Sequence, residues 1–95
     1  MILKTVVFDH TNANWYARSE WNMALIYNIL AHVQDILLHR GYIYLNQIYE
    51  LLGIKWNPDD ENPCIKYGAD STKLPIDFET EDLGNGAILV HIRID

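Results

Sequence analysis

An apolar stripe in the first half of the chain limits the fold more than any other feature. Ile26, Leu30, Val33 and Leu37 recur at steps of four, three and four residues, and only a helix gathers residues at that spacing on one face. Ile29 and Ile36 widen the stripe, while Trp21, Met23 and Leu25 extend it toward the N-terminus. His39 and Arg40 place positive groups in the last turn, and Gly41 suits the left-handed position beyond it. The pattern predicts one long helix starting between Asn14 and Ser19 and stopping at Gly41.

The rest of the chain changes period twice. The opening "ILKTVVFDH" is β-branched and predicts a strand, and "TNAN" supplies turn and cap residues. After Gly41, "YIY" reads as a short extended crossover. Asn46 then offers a cap for "QIYELL", a second helix with Ile48, Leu51 and Leu52 inward and Gly53 at its end. The proline-bracketed "KWNPDDENPC" is a loop and "CIKYG" a short strand. In "LPIDFET", Ile76 and Phe78 alternate with Asp77 and Glu79. In "AILVHIRI", Ile88, Val90, Ile92 and Ile94 alternate with Leu89, His91 and Arg93. "EDLGNG" between them carries hairpin turn chemistry. The expected fold class is α+β, with a long helix and a short second helix packed on a small antiparallel β-sheet. One domain spans 1–95: a strand and helical hairpin over 1–53, then an acidic loop and β-hairpin over 54–95. The place of the N-terminal strand in the sheet is left open.

Charge narrows the function classes. The net charge is −6. Lys4, Arg18 and Arg40 balance Asp9, Glu20 and Asp35 up to Gly41, so the excess lies in 42–95. A chain without clustered Lys and Arg is poorly suited to phosphate backbones, so direct nucleic-acid binding is not expected. Asp59, Asp60, Glu61, Asp70, Asp77, Glu79, Glu81 and Asp82 are accompanied only by Lys66 and Lys73. They predict either a solubilising face or a negative strip matched to a basic partner, formed if the sheet joins the loop to 77–82. Cys64 is the only cysteine, which removes an intrachain disulfide, and no apolar run approaches membrane-spanning length.

Catalytic and metal patterns are thin. His32 and His39 lie about 10 Å apart along a helix axis, too far for one metal, and read as helix-end and flanking residues. Asp9 and His10 at a strand end, with Cys64 or His91, are candidates for a zinc site or a Cys–His pair. No CxxC, HxxxH or HExxH spacing supports them, and a strand-end turn is the simpler reading. The consecutive acids of "PDDENP" lack the alternating oxygens and central glycine of a calcium loop. No phosphate-binding glycine loop or nucleophile elbow occurs. The expectation is a non-enzyme with no cofactor and no metal.

"RGYIYLNQIYELLGI", Arg40 to Ile54, resembles a family of small proteins encoded by bacteriophages and prophages of Gram-positive bacteria. In that family a helix ends in Arg-Gly, and an aromatic "YLN"-like segment leads into a short helix closing in Leu-Gly. The likeness continues loosely through "PIDF" and "ILVHIRID" and departs after Ile54, where "KWNPDDENPC" and "CIKYGAD" replace an Arg-Thr-like turn and a Gly-Trp segment. The resemblance implies mobile-element origin, the bacterial host cytoplasm and a non-enzymatic role. It carries no catalytic residue across.

Together these readings predict a phage-type inhibitor, anti-CRISPR-like, that sets an acidic surface against a basic groove of a host nucleic-acid-handling complex such as a CRISPR effector. The expected contacts are Asp59, Asp60, Glu61, Asp77, Glu79, Glu81 and Asp82. The alternative is a structural or accessory phage protein that self-associates, as a homodimer for example, through Trp15, Tyr16, Trp56 and Tyr67.

Overall fold

A computed structural model describes residues 1–68 and 74–94. In chain order the elements are β1 (Ile2–Phe8), α1 (Ser19–Arg40), β2 (Tyr42–Tyr44), α2 (Leu45–Leu52), β3 (Cys64–Lys66), β4 (Ile76–Gly84) and β5 (Ala87–Ile94). β1, β5 and β4 form an antiparallel sheet in that order, and β2 pairs with β3 in a separate two-stranded sheet. The fold class is α+β. The N-terminal strand joins the hairpin beside β5.

The core lies between the helices and one face of the larger sheet. α1 contributes Ile26, Ile29, Leu30, Val33 and Leu37, while the sheet contributes Val6, Phe8, Ile76, Phe78, Ile88, Val90 and Ile92. The opposite sheet face carries the alternate residues of β4 and β5, which are exposed or half-buried.

α1 runs from Ser19 to Arg40, as its stripe predicts. Gly41 (φ 86°) donates its N–H to the Leu37 carbonyl at 2.9 Å, and its positive φ is what favours glycine there. At the other end the inward residue is not Trp21, which is 55% exposed, but Asn22, which is completely buried. Asn22 fits because its amide is fully used. Its Oδ1 accepts from the Tyr16 N–H at 2.8 Å, and its Nδ2 donates to the carbonyls of Tyr16 (2.6 Å) and Gly86 (2.7 Å). The Trp15 indole donates to the same Gly86 carbonyl at 3.0 Å. The tip of the β4–β5 hairpin is thereby clamped to the chain entering α1.

Arg40 does more than end a helix. Its guanidinium donates to the Tyr42 carbonyl (3.0 Å) and to Gln47 Oε1 (2.7 Å), and lies over the Tyr42 ring. α2 begins at Leu45, so the expected cap at Asn46 lies one residue inside the helix. The free N–H groups of the first turn are satisfied from a distance, Leu45 by the Pro63 carbonyl (3.0 Å) and Asn46 by Asn62 Oδ1 (2.9 Å). At the far end, Asn12 Nδ2 donates to the carbonyls of Leu52 (2.8 Å) and Gly53 (3.2 Å). The "TNAN" turn thus closes α2 as well as leading into α1.

Candidate functional site

The β4–β5 hairpin builds the acidic surface. Asn85 (φ 53°) and Gly86 (φ 82°) form a two-residue turn with positive φ at both positions, the geometry of a type I′ hairpin turn. Gly84 then faces Ala87, yet Asp82 faces Ile88, so Leu83 is an extra residue forming a bulge. Past that bulge the alternation is regular. Ile76 and Phe78 are buried, while Asp77, Glu79 and Glu81 stand exposed on the face turned away from α1. Carboxylates two residues apart on a strand are spaced about 7 Å. Asp82, beside the bulge, is also exposed.

β5 supplies partial counter-charge. Arg93 Nη1 lies 2.7 Å from Glu79 Oε2, and that hydrogen bond, followed by the charge of the guanidinium, holds the Glu79 carboxyl below its ordinary range. His91 is flanked on both sides: Nδ1 is 2.8 Å from Thr5 Oγ1, and Nε2 is 3.7 Å from Glu81 Oε1. Asp77 Oδ1 accepts the Phe78 N–H and Asp82 Oδ1 accepts the Gly84 N–H, both at 2.9 Å. These two carboxylates therefore hold the strand and bulge in shape while remaining exposed. A groove of about 650 Å³ runs along this edge, lined by Tyr27 and Gln34 of α1 and by β4 residues including Asp77 and Glu79.

Asp59, Asp60 and Glu61 are also exposed but stand on a different support. Asn57 organises their turn by accepting from the N–H groups of Asp59 (3.1 Å) and Asp60 (3.0 Å). The following Asn62 and Pro63 dock on the start of α2. Asp60 is close enough to Tyr49 for its charge to add to burial in raising that phenol's pKa. The loop leads into β3, and β3 and β4 belong to separate sheets. The condition for one continuous strip, that a sheet join the loop to 77–82, is therefore not met. Asp70 and Lys73 lie outside the described residues.

The other candidates disperse. Asp9 Oδ1 accepts from the Thr11 hydroxyl (2.6 Å) and N–H (3.0 Å), which lowers its pKa and makes it a turn residue. His10 packs edge-on against Trp15, half-buried Cys64 lies in β3, and His91 sits mid-sheet. Among the described residues no three His, Cys, Asp or Glu side chains form a group able to hold a metal. His39 bonds the Asp35 carbonyl at 2.8 Å within the last turns of α1, and His32 is exposed on the same helix. Of the aromatics expected at a self-association surface, Tyr16 is exposed, but Trp15, Trp56 and Tyr67 are half-buried against the core. Trp56 packs edge-on to Tyr49 with ring centres 5.0 Å apart. Sequence reasoning missed the cross-strand partners Thr5, His91 and Arg93, because they become partners only once the strand register is fixed.

No helix among the described residues is long and apolar enough to cross a membrane. No protein-family model matches the chain, and no curated protein or solved structure matches it either.

Proposed function

We propose that this chain is a non-catalytic binding protein that sets the acidic strand β4 against a basic surface of a protein that handles nucleic acid. The observation that carries the reading is the exposed row Asp77, Glu79 and Glu81 on one face of an edge strand, with Asp82 exposed beside the bulge at its end, and with Arg93 as the cross-strand counter-charge and His91 beside Glu81. Such a row offers regularly spaced negative charge on a rigid support, and charge of that kind favours approach to a basic groove. The partner class is a host nucleic-acid-handling complex such as a CRISPR effector, with the chain acting as a phage-type inhibitor in the bacterial cytoplasm. Asp59, Asp60 and Glu61 form a second negative patch that adds to the same field.

The test uses the shape-preserving set Asp77→Asn, Glu79→Gln, Glu81→Gln and Asp82→Asn, which removes charge and keeps acceptor oxygens. Wild-type protein immobilised in a bacterial lysate containing CRISPR effectors should retain a nucleic-acid-binding protein. Retention should weaken as salt rises and the Debye length shrinks. The neutralised set should lose affinity by about tenfold or more. Equal retention by both proteins, or recovery of capsid or tail components alone, would refute the proposal.

A further inference from the structure

Both edges of the larger sheet are blunted against pairing with another chain. On β4, Gln34 donates to the Ile76 carbonyl and the Asp77 carboxylate takes the Phe78 N–H. β1 has a bulge at Leu3, between Ile2 and Lys4, and the exposed charge of Lys4. These are devices by which sheet edges resist association. The outer face of α1 carries no such protection. From Trp21 to Gln34 the helix has no Asp, Glu, Lys or Arg, although about a quarter of residues in ordinary domains are charged. On the side opposite the core, Trp21, Ala24, Asn28, Ala31, Asp35 and Leu38 follow one another at helical spacing, all exposed. Trp21 and Leu38 are each 55% exposed and lie about 25 Å apart along the axis.

We infer that this face is a seam between two copies of the chain, with the α1 helices packed antiparallel about a two-fold axis. The pattern is self-complementary in one register. Setting Trp21 against Leu38 of the second copy also sets Ala24 against Asp35, Asn28 against Ala31 and Glu20 against His39, each pair occurring twice. The bulky residues meet at the ends, and the small ones allow the helix axes to approach in the middle. The charges agree with that choice. Glu20 meets His39 of the last turn at each end of the seam, Asp35 meets Ala24 and not another acid, and the helix dipoles oppose. A parallel pair would stack Glu20 on Glu20 and Asp35 on Asp35. Exposed Trp21 also has the Tyr16 ring edge-on at 5.5 Å and the Arg18 guanidinium 5.8 Å from its ring centre, the Trp, Tyr and Arg chemistry that anchors interfaces.

The assembly is independent of the role proposed for β4. Sedimentation velocity of the full chain over roughly 1 µM to 1 mM, the span from moderate to weak affinity, should show monomer converting to dimer. Ala31→Arg, a change at an exposed site that keeps helix propensity, should leave the circular dichroism spectrum unaltered and weaken dimerisation at least about tenfold. In a Cys64→Ser background, a short bismaleimide should join an equimolar mixture of the single variants Asn28→Cys and Ala31→Cys into cross-linked dimers more efficiently than either variant alone, a mixture that leaves no second cysteine on the same helix to be bridged within one copy. A wild-type chain that stays monomeric throughout overturns the inference, as does a dimer indifferent to Ala31→Arg. Cross-linking no better in the mixture than in either variant alone overturns the antiparallel register.

Discussion

Replacing Asn22 tests the central claim about how the hairpin is held. Asn22 has no exposed surface and makes three hydrogen bonds, two to the backbone of Tyr16 and one to the Gly86 carbonyl. In Asn22→Ala the part-buried Tyr16 N–H and carbonyl lose these partners, at about 1–3 kcal/mol for each group that water does not reach. The Gly86 carbonyl keeps the Trp15 indole donor at 3.0 Å, so its loss is smaller. The total is about 3–4 kcal/mol, a large fraction of the roughly 5–15 kcal/mol typical of a folded domain. Urea unfolding followed by circular dichroism should show the midpoint falling with little change in slope. Thermal unfolding should shift down by roughly 12–32 °C, at about 4–8 °C per kcal/mol for a domain of this size. Asn22→Leu separates the causes, since it restores volume without restoring any hydrogen bond. If the clamp is polar, Leu should be nearly as damaging as Ala. A loss below about 1 kcal/mol in Asn22→Ala, or recovery in Asn22→Leu, would refute the argument from unpaired polar groups.

The hairpin turn makes a paired prediction: Gly84→Ala meets no atom within 4 Å, whereas a Cβ at Gly86 would lie 2.9 Å from the Tyr16 carbonyl oxygen. Both sites have positive φ, so calorimetry should show about 1–2 kcal/mol of backbone strain in Gly84→Ala and a clearly larger loss in Gly86→Ala. Asn12→Ala should cost about 1–3 kcal/mol by freeing the last carbonyls of α2, with the earliest hydrogen exchange at 45–52. Arg93→Ala should raise the Glu79 titration midpoint, read by carbon-detected NMR, toward the ordinary glutamate range, because the hydrogen bond and charge of Arg93 hold it down. Since the folded-state pKa is depressed, the pair's contribution to stability is present above the unfolded pKa. It is lost as pH falls through the folded one, so Arg93→Ala should flatten that acid-side decline.

How far the fold can be read from the sequence depends on whether a signal is local. The apolar stripe of α1, the stop at Gly41 and the alternation of β5 are local, and each element lies where its pattern puts it. The start of α2 is not, because its caps come from Asn62 and Pro63, sixteen and eighteen residues from the groups they serve. Neither is the inward position of Asn22. An asparagine beside a tryptophan reads as the polar neighbour, and its partners Tyr16 and Gly86 come from different parts of the chain. The same holds for the acidic set. The exposure of Asp77, Glu79 and Glu81 follows from alternation, whereas the division of the acids between two supports follows from β2 and β3 forming a sheet of their own.

The acidic face depends on a single inserted residue. Carried straight down the strands from Gly84 and Ala87, the turn's register would set Phe78 opposite Arg93 and Glu79 opposite Ile92. Residues facing one another across a sheet share a face, so that register would bury charge or expose the core whichever face packed on α1. The alternation of β4 and β5 and their Asn-Gly turn are therefore incompatible without an odd number of bulges, and Leu83 provides one. Its placement turns Ile76 and Phe78 toward α1, sets Glu79 opposite His91, and brings Glu79 within 2.7 Å of Arg93. β1 makes the same adjustment at Leu3, which lets Val6 face Val90 and Phe8 face Ile88. A one-residue slip reverses every side chain of a strand. The bulge at Leu83 is thus what makes β4 an apolar wall on one side and a row of carboxylates on the other.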